Sequence, residues 1–143
     1  MPENLTSKTQ ITIHASAAQV WKALTTPALI KQYMMGAEVE SDWKVGSPLI
    51  YTGEYEGKRF EERGVIQQLE PEHLLQATHF STSSGKPDQP ENYALVTWKL
   101  HPGDTGTVVT VEQDSLTSER GVEQSNQNWT MVLKGLKQTV EGQ

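Results

Sequence analysis

From Leu5 to His14 the chain alternates with period two, Leu5, Ser7, Thr9, Ile11 and Ile13 against Thr6, Lys8, Gln10 and Thr12, which predicts a strand with one buried face. Ser16 then opens S-x-x-Q with Gln19, a capping box, and Val20, Trp21 and Leu24 supply the apolar stripe of a short helix. Thr26-Pro27 is a second start signal, Thr as cap and Pro at the first helical position. Leu29, Ile30 and Tyr33 continue that helix and Gly36 ends it.

After Gly36 the pattern becomes strands and turns. Strands are expected near Ala37–Asp42, Pro48–Tyr55, Lys58–Glu70, His73–Phe80, Asn92–His101 and Thr107–Asp114. The segments between them, such as Glu56-Gly57 and Glu70-Pro71-Glu72, carry turn chemistry, and separators this short join antiparallel neighbours. Ser81 to Glu91 is the one long loop and is expected to move; whether it closes over a pocket is left open. Helical periodicity returns with Trp129, Leu133, Leu136 and Val140 at i, i+4, i+7 and i+11, while Lys134, Lys137 and Gln138 lie elsewhere. Ser118 is a candidate cap for this helix, although Gly121 could delay its start. The pattern predicts one α+β domain over residues 5–141, a curved antiparallel sheet wrapped around a long C-terminal helix, with two short helices after the first strand.

Composition narrows the chemistry. At 143 residues and 35% hydrophobic, the core must be placed by pattern rather than by abundance. The absence of cysteine excludes disulfides, thiolate nucleophiles and Cys-based zinc sites, and suits a reducing cytoplasm. No leader peptide is read at Met1–Thr6, and no apolar run is long enough for a membrane span. A net charge of −6 with dispersed charges argues against nucleic acid as a partner. The four histidines show no metal-ligand spacing, and neither a nucleophile elbow nor a phosphate loop occurs, so no metal or cofactor is expected.

The order of elements is the helix-grip arrangement, and particular residues go further. Ala15 to Pro27, reading A-S-A-A-Q-V-W-K-A-L-T-T-P, resembles the opening of the START-like superfamily, most of all the branch related to the activator of Hsp90 ATPase. The likeness continues through Val45-Gly46, Gly64-Val65-Ile66, Glu70-Pro71, Gly106-Thr107 and the W-x-x-x-L-x-x-L-K run from Trp129 to Lys137. Tyr33 stands where relatives often carry Trp, and Ser47 where a second Gly is common. The resemblance implies a helix-grip (START/Bet v 1-like) fold. It also implies a cavity between sheet and helix in which relatives carry lipids, sterols, hormones or polyketides.

Strand parity supplies a lining for such a cavity. Tyr51, Tyr55, Phe60, Glu62, Ile66, His79, Trp98, Val109, Val111 and Gln113 are expected on the inner face, with Trp129 and Leu133 facing them from the helix. Tyr33 and Met34, followed by Met35, fall where the second helix meets the sheet, and the adaptable methionines suit an entrance. For each aromatic the competing assignment is plain core packing. Glu62 and His79 could orient a ligand or pass a proton between them, provided the register does not turn Glu62 to water. Three functions stay open: a binder of a small hydrophobic or amphipathic molecule, an Hsp90-type chaperone partner, and an enzyme of the polyketide cyclase or dehydratase kind. Monomer and homodimer, the latter through an exposed strand edge, are equally open.

Overall fold

A computed structural model describes residues 4–34, 36–82 and 85–142, and of Tyr55 the backbone alone. Seven strands form one antiparallel sheet: β1 (Leu5–Ile13), β2 (Glu38–Glu40), β3 (Pro48–Tyr55), β4 (Lys58–Glu70), β5 (Leu74–Ser81), β6 (Ala94–Pro102) and β7 (Thr107–Leu116). Their order across the sheet is β1-β7-β6-β5-β4-β3-β2. From β2 to β7 this is a meander, and the chain's first strand closes it by pairing with the seventh, Ile13 opposite Thr107 and Leu5 opposite Leu116. Helices α1 (Ala17–Thr25) and α2 (Pro27–Tyr33) follow β1, and α3 (Glu119–Glu141) lies against the sheet. This is the helix-grip arrangement expected from the order of elements.

The local signals act largely as their chemistry dictates. Ser16 accepts from the Gln19 N–H while the Gln19 side chain accepts from the Ser16 N–H, completing the capping box of α1. Thr26 occupies the cap position of α2 without a side-chain bond, so Pro27 at the start sets that helix alone. Ser118 does cap α3, its hydroxyl accepting from the Gly121 N–H, and the glycine therefore does not delay the helix. The second strand is shorter than its pattern suggests, three residues rather than six.

Between the sheet and α3 sits the core, with Ile13, Val20, Ile30, Ile66, Leu100, Val109, Val111, Leu133 and Leu136 fully buried. Burying Leu133, Leu136 and Val140 contributes roughly 1.5–3 kcal/mol each. Gly135 lets α3 approach α2 closely, since a Cβ there would come within 3.0 Å of Tyr33 Cβ.

Side chains of α3 also close the free edge of β1. Asn126 Oδ1 accepts from the Lys8 N–H (3.2 Å), Lys137 Nζ donates to the Thr12 carbonyl (2.8 Å), and Glu141 Oε2 accepts from the His14 N–H (2.9 Å). Glu141 also pairs with Lys137 at 2.6 Å. At the opposite edge β2 is short and presents Glu38 and Glu40 to solvent, with Glu38 paired to Lys31. Short charged edges and capped backbone groups both block strand-to-strand pairing between molecules. Dimerisation through the β1 edge would have to displace all three contacts.

Candidate ligand cavity

Sheet curvature sets the cavity. The C-terminal half of α3 packs through Leu133, Leu136 and Val140, while its N-terminal half reaches β1 and β7 through Ser125, Asn126 and Trp129 and borders open space over the other strands. That space is a cavity of about 740 Å³. That volume falls within the range of small-molecule sites. Its floor comes from alternating inner positions of the strands: Leu49 and Tyr51 on β3, Glu62 on β4, Leu75, Ala77 and His79 on β5, Val96 and Trp98 on β6, Gln113 on β7. Helix α3 supplies Gln124, Ser125, Asn128, Trp129 and Val132, and α2 supplies Tyr33 and, at its end, Met34. Met131 also borders the space and is 69% exposed, which places it at the mouth.

Of the residues expected around the cavity, Tyr33, Met34, Tyr51, Glu62, His79, Trp98, Gln113 and Trp129 line it, whereas Ile66, Val109 and Val111 are buried in the core. Leu133 is buried in the core below it. Phe60 is half-buried and lies against Gly53, its cross-strand partner, beside the Ala37 backbone. The Tyr55 side chain and Met35 fall outside the described residues. Parity did not reach the wall from α3, although Ser125, Asn128 and Val132 share the side of Trp129 at helical spacing.

Two clusters of polar side chains stand on the cavity wall. At one, Glu62 Oε1 and His79 Nε2 stand 3.4 Å apart with side chains 37% and 25% exposed, and Tyr51 is the cross-strand partner of Glu62. The register thus keeps Glu62 on the inner face, as the pairing with His79 requires. At the other, Trp129 Nε1 donates to Gln113 Oε1 (2.8 Å), and Ser125 Oγ donates to the same oxygen (3.4 Å) while meeting Ser7 Oγ at 2.8 Å. The Trp129 ring meets Trp98 edge to face, centroids 5.6 Å apart, forming an aromatic wall between the polar places.

The long loop after β5 is fastened away from the cavity. Tyr93 stacks on Phe80 and its hydroxyl donates to Asp88, which also pairs with Arg63 at 3.2 Å. Phe80 and Arg63 are opposed across β4 and β5 and occupy outward positions next to inward Glu62 and His79. Within the loop, Asn92 Nδ2 donates to the Pro87 carbonyl (2.8 Å). None of the loop's described residues lines the cavity, so in this conformation the loop is no lid. Among the described residues no group of acidic and histidine side chains could hold a metal ion, and no helix is long and apolar enough to cross a membrane.

With the geometry established, comparison with known proteins places the chain. The family model described as activator of Hsp90 ATPase homolog 1-like protein matches residues 14–141. The chain belongs to this family. The solution structure of ChR145 from Cytophaga hutchinsonii is 40% identical, covering 99% of this chain and 97% of that one, with a TM-score of 0.85. The Aha1 dimer from Colwellia psychrerythraea shares the fold at 20% identity, 96% coverage of each chain and a TM-score of 0.75. DynU16, a protein of the dynemicin biosynthetic locus, shares it at 18% identity and a TM-score of 0.79, over 95% of this chain and 47% of that one. No curated protein matches.

In this member of the Hsp90-activator homolog family two phenols stand close together, Tyr33 buried and Tyr51 partly buried, with Tyr51 opposite Glu62 across the strands. Burial holds the Tyr33 hydroxyl well above the usual phenol range, with Tyr51 adding to the effect, and Tyr33 donates to the Ala23 carbonyl at 2.8 Å. Burial likewise raises Tyr51, with the Glu62 carboxylate contributing. An unfolded chain would ionise both near pH 10, whereas the folded chain holds them neutral. Their contribution is therefore fully present below pH 10 and lost as pH rises towards the folded values. Urea titrations from pH 9 to 11.5 are expected to show stability falling, by up to about 1.4 kcal/mol per pH unit for each phenol. Tyr33→Phe and Tyr51→Phe should each flatten that slope, and an unchanged slope would mean the rings are hydrated.

Proposed function

We propose that the chain binds a small, largely apolar molecule with polar ends in the cavity between the sheet and α3. One observation carries the reading: about 740 Å³ of space is bounded by mostly apolar side chains, with a minority of polar groups that include Glu62 and His79 on the sheet and Gln124, Ser125 and Asn128 on α3. A domain of this size has every reason to fill such a space with its own side chains, because unfilled volume forfeits dispersion contacts. Keeping it open, with Met34 and Met131 at its border, suits an adaptable entrance for a guest. Of the two other functions the resemblance implies, a chaperone partnership gains nothing from an internal cavity. A cyclase-type reaction would draw on Glu62 and His79, which face one another across 3.4 Å and would first have to be separated by substrate.

Thermal denaturation against fatty acids, alcohols, sterols, flavonoids and polyketide mimics tests the proposal. A ligand at one hundred times its dissociation constant stabilises the native state by about 2.7 kcal/mol. For 143 residues that raises Tm by roughly 9 °C. Val96→Trp, which fills the space from its floor, is expected to abolish the rise. If no compound shifts Tm in the unmodified protein and its mass spectrum shows no co-purified molecule, the proposal falls.

A further inference from the structure

The charges around the cavity distinguish among amphipathic guests. Among the described lining residues the acidic side chain is Glu62, and the basic ones are His79 and Arg63. Arg63 does not make the cavity positive. Its Nη2 is 2.8 Å from Glu61 and its Nη1 is 3.2 Å from Asp88, so the three together carry net negative charge. The remaining Nε is buried without an acceptor; Arg63 borders the cavity, but its register opposite Phe80 sets it on the outward side of β4. His79 already faces Glu62, and even its protonated form would leave that pair neutral rather than positive. Tyr51, the cross-strand neighbour of Glu62, adds a hydroxyl that both donates and accepts. At the other end of the cavity, near Gly121, Ser118 already accepts from the first turn of α3, and Glu119 in that turn offsets the helix dipole.

Resting on the cavity reading above, we infer that the site selects guests whose polar end donates hydrogen bonds and bears no negative charge, an amine best, then an alcohol or phenol, and that it discriminates against carboxylates and phosphates. Glu62 is the acceptor that makes the distinction. A carboxylate brought beside it would set two like charges together in a partly water-excluded space, whereas an ammonium would meet an opposite one. Fatty acids and phospholipids are then poor guests despite their apolar tails.

Three compounds with one tail isolate the effect: decylamine, decan-1-ol and decanoate, titrated at pH 8 by calorimetry and thermal shift. Decylamine is expected to bind about tenfold or more tightly than decanoate, with decan-1-ol between them. Glu62→Gln keeps the shape and an acceptor but removes the charge, and should narrow that gap to within about twofold. Decanoate binding as tightly as decylamine would overturn the selectivity while leaving the cavity reading intact. A gap that persists in Glu62→Gln would overturn the assignment to Glu62. Should none of the three bind, alongside failure of the wider panel, the cavity reading itself is lost. The comparison among ligands in the unmodified protein keeps the inference testable even if the variant is poorly folded.

Discussion

Gly64→Ala is expected to destabilise the protein by about 3 kcal/mol or more, seen as a fall in the urea midpoint with the slope unchanged. A Cβ at this position would lie 1.6 Å from the Thr78 carbonyl oxygen and 3.0 Å from its hydroxyl. Backbone on a neighbouring strand cannot swing aside as a long side chain can, so β4 and β5 would have to part. They are already held unusually here. The ladder pairs Arg63 with Phe80 and Ile66 with Ala77, and between them the Val65 N–H donates to the Thr78 hydroxyl at 2.8 Å. The same stretch carries Glu62 and His79, so parting the strands would also open the 3.4 Å separation between them. Ligand affinity in Gly64→Ala should therefore fall further than Tm alone accounts for. A variant as stable as the parent would mean that the strands are less closely apposed than described.

Trp129→Ala is expected to cost about 3 kcal/mol, the lower end for removing a large aromatic, because the ring is half-buried. Three things go together: the edge-to-face contact with Trp98, the hydrogen bond to Gln113, and the aromatic wall of the cavity. Trp129→Phe separates them. It keeps a ring against Trp98 while removing the donor, and should cost about 1 kcal/mol. The Gln113 oxygen would retain Ser125 as its donor, which limits the loss. If the phenylalanine variant costs as much as the alanine variant, the hydrogen bond dominates and the ring packing is secondary.

The difference between what was legible and what was not lies in the kind of information each pattern carries. Periodicity tells which face a side chain takes. That is why the α3 stripe of Leu133, Leu136 and Val140 is buried as read, and why Tyr51, Glu62, His79, Trp98 and Gln113 all turn inward. Periodicity does not tell how far along a groove a residue lies. Phe60 shares the parity of Glu62 but sits at the start of β4 over Gly53, and Leu133 faces the sheet where helix and sheet are in contact. The wall formed by Gln124, Ser125 and Asn128 escaped for another reason. Polar residues on a helix read as a solvated face unless the helix is known to stand over open space. Ser125 is in fact buried, held by Ser7 and Gln113. The fastening of the loop before β6 through Asp88 was equally hidden, since it joins Arg63 on β4 to Tyr93 at the loop's end and depends on their side chains meeting beyond the sheet.

The closure of β1 by α3 bears on how the protein acquires its structure. Strand β1 pairs with β7, and its outer backbone groups are met by side chains 118 to 127 residues further along the chain. Nothing local can satisfy these groups beforehand. The meander from β2 to β7 can form by successive hairpins, but the first strand must wait for the seventh to pair and for the last helix to meet its outer groups. Loop closure over such separations is slow, and strand groups left unpaired in the interval can join another chain. During synthesis the outer edge of β1 can thus be closed only once α3 has emerged. Until then β1 is the segment a chaperone would have most reason to cover.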